Sequence, residues 1–380
     1  MVLFGWFLVA NGILLDGFGP EKVFEVYNAK AGMHGFVVID NTALGPGKGG
    51  IRMTPSVSRE EVFALARGMS WKNAIAELPF GGAKSGIVAD AKRLTPAKKD
   101  EIIRAFAEAV KPVVPSLYVA GPDISTSEHE MQVFSDAIGD KNACTGKPAS
   151  MGGLPHELGS TGLGVFHATK VAAQHLGKSL NGMTFAVEGF GNVGWFVSKF
   201  LTEAGAKLVA VSDSKGVLCD SAGIDFEALA KVKSGTGSVV NYNAKQGSAC
   251  RDIVSAKADI LITAAIPNVI TATNVGNVHA RIIVEGSNIP MSVEMERILA
   301  DKGVLVVPDI VANAGGVISS YVEFIGGSEK EMFALVEKKI IKNTKTVLEH
   351  AASAKKLPRD AALEIAKARV LKACKTCKAD

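Results

Sequence analysis

The sequence predicts an α/β chain whose later part is a doubly wound parallel sheet. Three observations carry this. From about Gly162 short apolar runs alternate strictly with amphipathic segments, the pattern of parallel strands joined by crossover helices. A glycine-rich turn joins one of those strands directly to a helix. The length, 380 residues, suggests two or three domains at roughly 150 residues each.

The elements follow in order. Met1–Leu15 is uncharged and mostly apolar. It is shorter than the roughly 20 residues of a membrane-spanning helix, and it lacks the basic start of a signal peptide. It reads as a buried segment or an irregular start to a cytoplasmic protein with no membrane partner. Gly35–Asn41 reads as a strand. A helix is expected over 58–77, capped by Ser58 with Glu61 three residues on, as in a capping box. Thr95-Pro96 opens another helix with Ile102, Ile103, Phe106, Ala109 and Val110 as its apolar stripe, and Pro112 and Pro115 end it. The alternating region gives helix 162–176, strand 184–188, helix 192–204, strand 207–212, helix 225–233 and strand 259–263. Strands 281–285 and 304–307 flank helix 292–302. Two long helices, about 329–353 and 359–373, close the chain around Pro358.

Composition excludes several classes. Hydrophobic residues at 47% and charged residues at 21% rule out a disordered chain. A net charge of +4 with no run of five Lys/Arg argues against nucleic acid. The five cysteines are scattered and odd in number, which is no disulfide framework. Cys374-Lys-Thr-Cys377 reads as two thiols near a helix end. It has no second pair or His cluster beside it, so no metal site is expected. Glycine is in excess, 40 residues, which suggests loops that bring backbone close to a ligand.

Gly189-Phe190-Gly191-Asn192-Val193-Gly194 matches the dinucleotide fingerprint and sits in the strand–turn–helix context that the fingerprint requires. Gly189 suits the tight turn, Gly191 the approach of a pyrophosphate, and Gly194 close helix–strand packing. Asp213, at the end of the next strand, stands where an acidic residue binds a ribose 2′-OH. Its neighbours Ser212, Ser214 and Lys215 suit a 2′-phosphate instead, so both NAD and NADP remain open.

Three lysines stand in unusual settings. Lys72 recurs with Val62, Leu65 and Met69 on the expected apolar stripe of helix 58–77. Lys48 and Lys84 are each flanked by glycines, which strip away bulk and let a small ligand meet the ammonium. Converging ammonium groups are expected to repel one another and depress one pKa, giving carboxylate sites and one neutral amine for base work. Asp123 follows Gly121-Pro122 at the end of a short apolar strand.

Taken in order, GPGKGGIR (45–52), MSWKNAI (69–75), LPFGGAKSG (78–86), GPDIST (121–126), ELGSTGLGV (157–165), VEGFGNVG (187–194), VSDSKG (211–216), VEGSN (284–288) and PDIVANAGGV (308–317) resemble the glutamate/leucine/phenylalanine/valine dehydrogenase family. The resemblance covers about Phe24 to Gly327. It implies an α/β substrate-binding and oligomerisation domain at 1–155 and a Rossmann-type dinucleotide domain at 156–330. Helices over 331–380 are then expected to return toward the first domain. It implies Lys84 as the catalytic lysine, Asp123 as the proton shuttle and Lys72 on the α-carboxylate. Lys48 and Ser320 would take a side-chain carboxylate, with Asn313 and Val317 also at the substrate. Thr161, Phe190, Asn192, Val193, Ser214, Ala264 and Asn288 would join the glycines and Asp213 at NAD or NADP. Lys48 and Ser320 favour L-glutamate, converted reversibly to 2-oxoglutarate and ammonia, over an apolar amino acid. Alternatives are the leucine, valine or phenylalanine branch and a non-catalytic dinucleotide sensor. A homo-oligomer, a hexamer by resemblance, is expected.

Overall fold

The computed structural model describes residues 3–4, 7–10, 13–155, 158–243 and 252–378. Part of the apolar N-terminal stretch, Glu157 of the ELGSTGLGV match, and Cys250 lie outside them. The chain divides into two compact units, each taken here by itself. The first holds Met1–Leu158, Val317–Met332 and Leu363–Asp380; the second holds Gly159–Gly316 and Phe333–Ala362.

The first unit opens with short strands β1 (Leu3–Phe4), β2 (Phe7–Ala10) and β3 (Ile13–Leu15), paired antiparallel. The N-terminal stretch is thus a small sheet where its described residues lie, and not an irregular start. Then come β4 (Lys22–Asn28), β5 (Met33–Asn41), β6 (Gly47–Lys48), β7 (Ile51–Thr54), α1 (Arg59–Ile75), β8 (Gly81–Val88), α2 (Pro96–Val110), β9 (Tyr118–Val119) and α3 (Glu128–Ile138). The sheet order is β4-β5-β8-β6-β9, with β7 also pairing β8. Alternation along β5 sends Val37 and Ile39 to one face, where they pack with Ile87, Ile103, Phe106 and Phe134. It sends Phe36 and Val38 to the other, against Val62 and Ala66 of α1.

Helix α1 differs from its sequence reading in two ways. Its buried positions are Val62, Ala66, Ser70, Trp71, Asn73, Ala74 and Ile75, so Lys72 sits beside the stripe, half-buried, with Leu65 and Met69. Ser58 accepts the Glu61 amide at 3.2 Å, but the Glu61 carboxylate turns to Arg52 at 2.6 Å. On α2 Ala107, not Ala109, completes the buried stripe. Cys374 and Cys377, expected as free thiols, form a disulfide.

The second unit contains α4 (Ser160–His175), β10 (Thr184–Glu188), α5 (Asn192–Glu203), β11 (Lys207–Asp213), β12 (Gly216–Cys219), α6 (Phe226–Thr236), β13 (Ile260–Thr263), β14 (Ile282–Glu285), α7 (Val293–Asp301), β15 (Leu305–Val307) and α8 (Asp309–Ala312). Its sheet runs β12-β11-β10-β13-β14-β15 and is parallel except for the β11–β12 hairpin, an edge that alternation of strand and helix does not announce. Ala186, Leu261, Ile283 and Val306 from successive strands share one core.

Helix α9 (Gly315–Phe324) follows, unforeseen between strand and closing helices; then α10 (Glu329–Ala354) and α11 (Pro358–Ala373). The block 331–380 does not belong to the first unit as a whole: Phe333–Ala362 belongs to the second unit, and only its first two residues and Leu363 onward to the first. The physical reason is visible in α10 and at the start of α11. Leu348 and Ala351 line a common groove with Val304 and Val306. Arg359 is clamped by three carboxylates, Glu285 at 2.6 Å, Glu296 at 2.5 Å and Asp309 at 2.8 Å. Among the described residues no helix is long and apolar enough to cross a membrane.

Candidate active site

In the first unit, β8 carries Lys84 into the sheet interior, where it is 7% exposed. Its Nζ lies 3.0 Å from Asp123 Oδ2. Asp123 stands just after β9, its amide bonded to Thr126 Oγ1 at 2.9 Å, and the same Oδ2 accepts Arg52 Nε at 2.8 Å. Arg52 is held from behind by Glu61. Burial lowers the Lys84 pKa, an effect that the Asp123 charge only partly offsets. Burial acts to raise the Asp123 pKa, but the Lys84 and Arg52 cations outweigh it and keep the carboxyl below its usual range. The site can therefore hold one carboxylate and supply an amine that loses its proton more easily than an exposed lysine. Arg52 was legible in the same glycine-lysine motif and was passed over.

Lys48, on β6, is 4% exposed, and its Nζ donates to the Ala120 carbonyl at 2.8 Å. Burial pushes its pKa down to about 8. The expected repulsion by Lys84 does lower the Lys48 pKa, but less than loss of solvent does; for Lys84 burial again comes first, and the cation that adds to it is Arg52. Gly121 leaves room here: a β-carbon on it would stand 2.6 Å from Lys48 Nζ, displacing the ammonium, and 3.7 Å from Thr145 Oγ1. Thr145 Oγ1 is buried and finds no hydrogen-bond partner among the described residues. Sequence reasoning missed Thr145, since an isolated threonine in a loop carries no local signal. Ser320 is half-buried on α9, one turn before Phe324, whose ring meets Phe80 at 5.2 Å. Val317, at the start of the same helix segment, is also half-buried. Lys72 is half-buried on α1, the helix that packs on β8.

In the second unit the turn 189–194 joins β10 to α5. Gly194 is needed for packing, because a β-carbon there would meet the Gly189 carbonyl oxygen at 1.8 Å. Open space lies above Gly191. Asn192 Oδ1, in the first turn of α5, is buried without a partner among the described residues. Beside the turn a pocket of about 380 Å³ is lined by Glu188–Gly191, Ser212–Ser214, Lys233 and Ala265. A helix N-terminus, an unpartnered amide oxygen and this pocket fit a dinucleotide. Phe190 is buried in the turn, Val193 packs near Gly286, and the Ala264 amide reaches Glu188 Oε2 at 3.0 Å. Asn313 Nδ2 donates to Asn288 Oδ1 at 2.9 Å, and Thr161 Oγ1 lies under Gly316.

Asp213 is placed differently from its sequence reading as a ribose ligand. Its Oδ1 accepts the Lys215 amide at 2.8 Å and Ser238 Oγ at 3.2 Å. Its Oδ2 accepts Lys233 Nζ at 2.7 Å and the Val239 amide at 2.8 Å. Two lone pairs per oxygen are thereby filled. Burial acts against ionisation, but these donors, Lys233 first, together outweigh it and pull the pKa down to about 2.

A parallel nucleotide-type sheet together with a buried lysine–aspartate pair defines a dinucleotide-linked oxidoreductase. Residues 152–377 match the family model described as glutamate/leucine/phenylalanine/valine dehydrogenase, and residues 20–139 match that of its dimerisation domain. A glutamate dehydrogenase of Aeropyrum pernix is 43% identical over 352 residues, covering 88% of this chain and 84% of the relative. An NADP-specific glutamate dehydrogenase of Saccharolobus shibatae is 39% identical over 80% of this chain and 75% of its own. The structure of the hetero-hexameric glutamate dehydrogenase of Thermus thermophilus, in a leucine-bound form, superposes with a TM-score of 0.83 at 28% identity, covering 94% and 89% of the two chains. The chain belongs to the glutamate/leucine/phenylalanine/valine dehydrogenase family of amino-acid dehydrogenases.

Proposed function

We propose that this chain catalyses the NAD(P)-dependent oxidative deamination of L-glutamate to 2-oxoglutarate and ammonia, and the reverse reaction. One observation carries the substrate choice: an ammonium, Lys48 Nζ, and a hydroxyl without a partner among the described residues, Thr145 Oγ1, are both buried beside Gly121. An apolar side chain seated there would leave the ammonium without a counter-charge and the hydroxyl without a partner, a cost of several kcal/mol, on the order of 2–7. A carboxylate satisfies both. Ser320 joins them at the side-chain carboxylate, and Lys72 holds the α-carboxylate, with Asn313 and Val317 completing the substrate contacts.

Thr161 and Asn288 would hold the nicotinamide end of NAD or NADP and the 189–194 turn its pyrophosphate; when bound, the dinucleotide would supply the acceptor for the hydride that leaves the substrate Cα. Asp123, kept ionised by Lys84 and Arg52, takes a proton at the substrate nitrogen and returns it to the departing ammonia. Lys84, its pKa lowered by burial, removes a proton from the water that attacks the imino carbon. The same groups in the same places serve amination, with the proton transfers reversed. The first unit takes the substrate and the assembly contacts, the second the dinucleotide. The hexameric assembly of the Thermus thermophilus neighbour supports reading the protein as an oligomer; that it is a homo-oligomer of the cytoplasm is our expectation from the sequence.

The test follows nicotinamide absorbance with glutamate, leucine, valine and phenylalanine, using NAD and NADP in turn. A kcat/KM for leucine above that for glutamate overturns the substrate assignment.

A further inference from the structure

Ile289, in the loop after β14, has a φ of 50°, a left-handed conformation that a β-branched side chain takes only under constraint. Its side chain is exposed, so packing does not offset the strain. The constraint comes from the buried cluster around Arg359. Glu285 on β14, Glu296 on α7 and Asp309 on α8 share that one guanidinium. Asp309 links the cluster to the loop. Its Oδ1 accepts Arg359 Nη1 at 2.8 Å and the Ile310 amide at 2.8 Å, while its Oδ2 accepts the Ile289 amide at 3.0 Å. The Ile289 N–H lies in the same rigid peptide plane as the Asn288 carbonyl, so the bond to Asp309 fixes one end of Asn288. The other end is held by the Ser287 amide, which donates to the Thr263 carbonyl at 2.8 Å. Asn313, whose Nδ2 meets Asn288 Oδ1 at 2.9 Å, is tied to the same aspartate: its amide donates to the Asp309 carbonyl at 3.1 Å.

We propose that Arg359 is a positioning residue for the nicotinamide end of the dinucleotide: through Asp309 it holds Ile289 in its left-handed conformation and so aims Asn288. This rests on the dehydrogenase reading above and adds to it a residue from the start of α11. A guanidinium suits the task because its planar fork meets three carboxylates in one fixed geometry, whereas an ammonium on a flexible stem does not. Released from Asp309, Ile289 relaxes toward negative φ, and the peptide plane it shares with Asn288 turns with it.

Binding decides it without turnover. NADH and NADPH are titrated by fluorescence into the full-length wild type and the Arg359→Lys and Asp309→Asn variants. 5′-AMP and 2′,5′-ADP serve as competitors that carry no nicotinamide. Asp309→Asn keeps an oxygen for Arg359 but turns an amide donor toward the Ile289 N–H. Each variant is expected to lose about tenfold in affinity for the better-bound reduced dinucleotide, the worth of a charged hydrogen bond, while affinity for the matching fragment stays within about twofold. Adding Ile289→Gly to either variant is expected to restore most of the loss, because glycine keeps the left-handed turn without the clamp. If Arg359→Lys fails to fold, Asp309→Asn, in which the guanidinium keeps its partners, reads the same comparison. Unchanged dinucleotide affinity overturns the proposal. So do equal losses for dinucleotide and fragment, the mark of general damage to the unit, and a loss that Ile289→Gly does not repair. A wild type that binds the reduced dinucleotide but does not oxidise glutamate sinks the substrate reading and leaves the clamp standing.

Discussion

In the first unit the chemistry rests on charged side chains wholly or partly taken out of water: buried Lys48 and Lys84 and half-buried Asp123, carried by β6, β8 and the segment after β9. In the second it rests on a backbone turn, 189–194, whose tight geometry is set by Gly194 packing on Gly189. The first region tolerates shifts in the chain poorly because desolvated charges need their partners within hydrogen-bond distance. The second tolerates side-chain exchange on the surrounding surface but not a β-carbon at Gly189 or Gly194. Substitutions should therefore separate the two: side-chain loss in the first unit removes chemistry or substrate choice, while added bulk in the second removes dinucleotide binding.

The largest effect is expected at Lys84. Lys84→Ala should lower kcat by about 10²–10⁴-fold, the usual worth of a general acid–base group, while dinucleotide titration stays near the wild-type value. Near-normal turnover removes Lys84 from the mechanism. Next comes Lys48→Leu, which should reduce the glutamate-to-norvaline ratio of kcat/KM by about 10²-fold, the scale of truncating one partner of a buried charge pair. Equal losses for both substrates would undercut the assignment. Gly194→Ala should destabilise the second unit by about 1–3 kcal/mol, as overpacking does, with weaker dinucleotide binding but unchanged substrate preference; thermal unfolding and titration measure both. The smallest effect is one of pH. With the free-enzyme pKa of Lys48 at about 8, its ammonium is present below that value and lost above it. The glutamate-to-norvaline ratio should thus fall as pH rises through about 8, since the Lys84 titration is common to both substrates and cancels. A ratio flat from pH 7 to about 9 would mean that Lys48 does not hold the side-chain carboxylate.

What could be read in advance follows the range of the forces involved. The strand–turn–helix from Thr184 to Glu203 was legible because its pattern is contiguous: apolar strand, three glycines, amphipathic helix. Lys48 and Lys84 were visible through their glycine neighbours. Thr145 was not, because its meaning comes from Gly121 and Lys48, more than twenty residues away in sequence. The partners of Asp213 were hidden for the same reason: Lys233, Ser238 and Val239 reach it from α6 and the turn that follows.

By itself the sequence determined the alternating α/β order of the second unit, its dinucleotide turn, and the residue types at the lysine–aspartate pocket. These depend on hydrophobic period and on local backbone freedom, which neighbouring residues impose. Only the tertiary structure decided that Lys72 lies beside its helix stripe, that the closing helices are shared between units, and that Asp213 is saturated. Each of those depends on which distant groups compete for one buried surface or one lone pair, and that competition exists only once the chain has folded.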